Sequence, residues 1–93
     1  MRIIGEIAHP TLKITVFKME HRITLKLETG MYEQAYRFRL TEGLAGFEEV
    51  QKMVDEPFLA KVEARFLEMR NDTEQLLGRF MPLEEGDAYD EII

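Results

Sequence analysis

The groups with which this 93-residue chain could do chemistry are few in kind. It contains no cysteine and no serine, which removes thiolate and serine nucleophiles, disulfides and thiolate metal sites. Two histidines remain, His9 and His21, and both fall in segments that read as surface loops. A metal site needs several His, Asp or Glu ligands at turn or helical spacing, and neither histidine has such neighbours. The adjacent carboxylates Glu48-Glu49 and Glu84-Glu85 would point about 100° apart on a helix. That suits a solvated face, not an acid and a base held across a cleft. Gly43-Leu44-Ala45-Gly46 lacks the lysine and the glycine count of a phosphate loop and reads as a strand-to-helix connection. Tyr32 and Tyr36 could donate protons, yet both fall on the apolar side of their strand. No catalytic, cofactor-binding or metal-ligating constellation emerges, so the expectation is a protein that is not an enzyme and carries no cofactor or metal.

The elements that must position these side chains follow from residue periodicity. Leu12, Ile14 and Val16 alternate with Lys13, Thr15 and Phe17; Ile23, Leu25 and Leu27 alternate with Arg22, Thr24, Lys26 and Glu28. Tyr32, Tyr36, Phe38 and Leu40 alternate with Glu33, Ala35, Arg37 and Arg39. Period two is the mark of a half-buried strand. A shorter strand runs Arg2–Ala8 and stops at His9-Pro10, and the breaks at Glu20-His21 and Thr29-Gly30 have hairpin length. Closing the hairpins there sets Ile7 opposite Leu12 and Ile3 opposite Val16, then Val16 opposite Leu25 and Ile14 opposite Leu27. The last closure sets Leu27 against Tyr32, Ile23 against Tyr36 and Lys26 against Glu33. All three gather the apolar residues on one face and pair opposite charges on the other. One corner stays unneutralised: Arg22 faces Arg37, with Arg39 beside them and Phe17 and Met19 pointing outward. Gln34 is the polar exception on the apolar face, expected near the sheet edge with its amide on water or backbone.

After Leu40 the period changes to that of a helix. Thr41 is placed to cap a short helix carrying Leu44, Phe47, Val50 and Val54, which ends before Pro57. From there Leu59, Val62, Phe66, Met69, Thr73, Leu76 and Phe80 recur at steps of three and four, a heptad-like stripe. An unbroken helix from Pro57 to Phe80 would be ~36 Å long, against ~19 Å for the width of four strands. Asn71-Asp72 followed by Gln75 resembles a fresh cap, but the stripe stays in phase across it. A continuous helix would leave Leu76, Leu77 and Phe80 in search of a partner. The predicted fold is therefore α+β: a four-stranded antiparallel meander, then a short helix and a long amphipathic helix packed on one sheet face. Residues 1–81 form a single domain, and 82–93 are expected to be a flexible acidic tail.

Composition sets outer bounds on function. Hydrophobic residues make up 45% and charged residues 32%, the balance of a soluble, cytoplasmic domain. No run approaches the ~20 apolar residues of a membrane span, and Glu6 interrupts any leader-like core. The net charge of -6 is uneven: residues 1–40 carry seven Lys/Arg and four Glu, residues 41–93 five and fourteen acids. These features favour a protein-interaction or assembly module, self-associating as a homodimer through Leu76, Leu77 and Phe80. The alternative is single-stranded nucleic-acid binding on the sheet corner of Phe17, Met19, Arg22, Arg37 and Arg39. In element order, across roughly residues 1–80, the chain resembles the Whirly-like single-strand binders, which implies dimers joined through helices. A third possibility is a ligand carrier with a pocket lined by Tyr32, Gln34 and Tyr36.

Overall fold

In a computed structural model that describes residues 1–80, the four expected strands form one antiparallel sheet in chain order. They are β1 (Arg2–Ile7), β2 (Lys13–Met19), β3 (Arg22–Thr29) and β4 (Tyr32–Arg39), followed by α1 (Phe47–Met53) and α2 (Glu56–Phe80). The expected flexible tail, 82–93, lies outside the described residues. No helix among the described residues is long and apolar enough to cross a membrane. The core sits between one sheet face and the two helices. Leu12, Ile14, Val16, Ile23, Leu25 and Leu27 meet Val50 of α1 and Val62 and Phe66 of α2. This is the α+β meander that the alternation predicts.

Register agrees with expectation in the middle hairpin and departs from it in the outer two. Around Glu20-His21, Val16 pairs with Leu25 and Ile14 with Leu27, as anticipated. In the last hairpin the turn residues are Gly30 and Met31, because Thr29 pairs with Tyr32. Gly30 has φ +57, the left-handed value that the first position of a tight hairpin turn needs and glycine supplies. The expected pairs therefore shift by two: Leu27 faces Gln34, Leu25 faces Tyr36 and Ile23 faces Phe38. An even shift keeps every side chain on its face, so the core is unchanged. It does set Glu28 against Glu33. Lys26 relieves them, its Nζ lying 3.8 Å from each carboxylate.

The first hairpin departs for a different reason. Ile7 pairs with Ile14 and Gly5 with Val16, not Ile7 with Leu12 and Ile3 with Val16, and an irregularity between Ile3 and Gly5 turns Ile3 outward beside Phe17. The loop that replaces a tight turn is organised by His9. Its Nδ1 accepts the backbone N–H groups of Thr11 and Leu12, both at 3.1 Å, which fixes the proton on Nε2. That nitrogen lies 3.4 Å from the Glu63 carboxylate of α2, with the His9 side chain only 13% exposed. His9 thus lies in the loop expected of it, but its ring is largely covered and ties that loop to the helix. Gly5 faces the Phe47 ring of α1, and a Cβ added there would clash with that ring. Gly5→Val is expected to cost about 1–3 kcal/mol by overpacking, read as a lower urea midpoint, with Phe47→Ala relieving part of the loss.

Helix starts are set by local hydrogen bonds. Thr41 does not cap α1; it forms an isolated bridge with Leu44, N–H to carbonyl in both directions at 3.2 and 3.1 Å. The helix starts at Phe47 after Gly46, whose N–H donates to Glu49 Oε1 at 2.8 Å. The two glycines, Gly43 and Gly46, delay it, since glycine loses most backbone entropy in a helix. At the next start Asp55 Oδ1 accepts the Phe58 N–H at 3.0 Å, and Pro57 falls in the first turn, where a missing donor costs nothing. α2 is fastened to the edge strand β4 by polar bonds. Gln34 Nε2 donates to the Val62 carbonyl at 2.9 Å, and Arg65 donates to Tyr36 Oη at 2.9 Å.

Candidate functional site

The helix α2 is continuous from Glu56 to Phe80, about 37 Å at ~1.5 Å per residue. Asn71-Asp72 does not restart it, and Thr73 is accommodated because its hydroxyl donates to the Met69 carbonyl at 2.9 Å, a bond that satisfies it within the helix. The sheet beneath is shorter. Val62 and Phe66 are buried and Leu59 and Met69 pack against the core, but the stripe then runs on with nothing among the described residues covering it. Phe80 is about five whole turns beyond Val62, so it leaves the helix axis in nearly the same direction. Leu76 is 54% exposed, Leu77 41% and Phe80 85%. Among the described residues, one continuous apolar face is therefore covered by the sheet at one end and exposed at the other.

The bare end has charged flanks that residue spacing alone did not single out. Asp72 and Arg79 lie a heptad apart on one side of the stripe, and Arg70 and Leu77 lie a heptad apart on the other. All four are exposed. Neither Asp72 nor Arg79 forms an ion pair among the described residues.

The sheet corner is the second feature. Arg22 pairs directly with Arg39, while Arg37 pairs with Thr24; the expected Arg22–Arg37 pairing falls with the two-residue shift. All three arginines line an open groove of about 530 Å³ with His21 and Leu40, and Arg22 and Arg37 also line one of about 340 Å³ with Phe17, Met19, Lys26 and Glu33. None of the three has an ion-pair partner among the described residues. Like charges set opposite each other across a ladder are destabilising, and Arg22 and Arg39 stand so. The rest of the outer face is less wet than alternation implies: Phe17 is half-buried, and Thr15, flanked by Glu6 and Lys26, is buried.

The pocket anticipated around Tyr32, Gln34 and Tyr36 is filled by the helix. Gln34 and Tyr36 spend their polar atoms on α2 and on each other, and Phe58 packs edge-on against Tyr36 with ring centroids 5.5 Å apart. Tyr32 instead borders a shallow cleft of about 240 Å³ with Leu12, Phe66 and Arg70. Among the described residues no three His, Asp or Glu side chains are close enough to share a metal ion. Comparison with protein-family models, curated proteins and solved structures finds no match to this chain.

Proposed function

We propose that this protein is a small non-catalytic assembly module that works by pairing with a second copy of itself through the free end of α2. The observation that carries this reading is the in-phase stripe that outruns its sheet, with Leu76, Leu77 and Phe80 exposed. A heptad-spaced apolar face is filled best by another helix of the same spacing, and a second copy brings that helix at equal concentration. The free stretch is short, so the expected dimer is weak, dissociating in roughly the micromolar range. Sedimentation velocity over a wide concentration range tests it. The mass should rise from 10.9 kDa towards twice that value; a concentration-independent monomer would end the proposal.

The three convergent arginines favour a second reading, a single-stranded nucleic acid laid along the sheet corner. Phosphates would sit on Arg22, Arg37 and Arg39, and one base would stack on Phe17. The net charge of -6 works against it at long range. A labelled oligonucleotide should then be shifted at low salt, with the shift lost in Arg37→Glu combined with Arg39→Glu. No shift of the wild-type chain at low salt would remove this reading.

A further inference from the structure

The geometry points to an antiparallel, two-fold pairing of α2 in which Asp72 of each copy meets the partner's Arg79; this rests on the self-association proposed above. Orientation follows from what the stripe already does. From Leu59 to Phe66 it is taken up by the helix's own sheet, so two helices set parallel would drive both sheets into one space. Set antiparallel, the stretches from Met69, at the margin of the core, to Phe80 overlap over about 16 Å, and the two sheets lie at opposite ends. A seam with steps of three and four then places Thr73 against the partner's Leu76 and Met69 against the partner's Phe80. Both pairings belong to one register, as a two-fold contact requires.

The same register has a consequence for charge. Antiparallel packing turns each flank of the stripe against its own copy. The flank that carries Asp72 and Arg79 therefore forms two opposite-charge pairs, Asp72 with the partner's Arg79 and the reverse. On the other flank Arg70 lies along the partner's Leu77, where its methylene stem covers apolar surface. Parallel packing would instead set one flank against the other and bring Asp72 to Leu77. Phe80, the most exposed aromatic among the described residues, also arrives beside the cleft bordered by Leu12, Tyr32 and Phe66.

Two measurements separate this inference from the reading beneath it. The chain lacks cysteine, so Ala60→Cys, on the exposed side of α2, gives a single spin-label site. Antiparallel pairing in this register puts the two labels about 44 Å apart, whereas parallel pairing puts them within about 15 Å. Asp72→Arg or Arg79→Asp alone should raise the dimer Kd about tenfold, and the two together should bring it back near the wild-type value. A wild-type chain that never dimerises sinks the assembly reading itself. A dimer with the short label distance, or one indifferent to the charge exchange, overturns the antiparallel register while leaving self-association standing.

Discussion

Leu27→Ala is expected to lower the unfolding free energy by about 3–4 kcal/mol and the Tm by roughly 15–20 °C. Leu27 is fully buried at the far end of β3, paired with Ile14 on one side and Gln34 on the other, within the cluster that includes Val62 and Phe66. Truncation there removes buried methyl groups and leaves a cavity that the flanking strands, held by their ladders, close only in part. A domain this size carries about 5–10 kcal/mol in total, so the loss takes a large share of it. Leu76→Ala offers the contrast: the side chain is half exposed in the free chain, and its removal should change monomer stability by less than about 0.5 kcal/mol. Urea denaturation of both at low protein concentration checks the pair. Equal midpoints would mean that the sheet buries the other face.

What sequence reveals and what it leaves out can be seen in the three hairpins. Face assignment depends only on parity, so Ile14, Val16, Ile23, Leu25 and Leu27 all point inward whether a strand slips by two or not. Register depends on a single turn, and there the signal is local. The choice between Thr29-Gly30 and Gly30-Met31 turns on which position glycine fills, since only glycine takes φ +57 without strain. The first hairpin was illegible because its loop is held by His9 and its strand has an irregularity before Gly5, and no alternation pattern holds either. The loop position of His9 was legible, but its contact with Glu63 was not, because that partner comes from a distant element. The free end of α2 was legible because helix length and strand width are arithmetic. Its flanking charges become informative only once the face covered by the sheet is known.

Leu76→Glu combined with Phe80→Glu is expected to weaken self-association at least a hundredfold while leaving the monomer's Tm unchanged. Both side chains lie beyond the sheet in the free chain, at 54% and 85% exposure, so the fold loses almost nothing when they become polar. The dimer loses much more. Burying a large apolar side chain completely contributes about 1.5–3 kcal/mol, and two-fold symmetry counts each loss twice. In their place the seam would hold four carboxylates stripped of water, with no cation opposite them in the register that pairs Thr73 with the partner's Leu76. Removing an ion from water without a partner costs several kcal/mol, so the variant escapes that cost by staying apart. Sedimentation velocity and a thermal melt on the same sample read both halves of the expectation. If the double variant still dimerised with the wild-type concentration dependence, the contact would have to lie elsewhere, most simply along the exposed edge of β4, whose outward N–H and C=O groups have no neighbouring strand among the described residues. The overhang of α2 would then be a consequence of helix length alone.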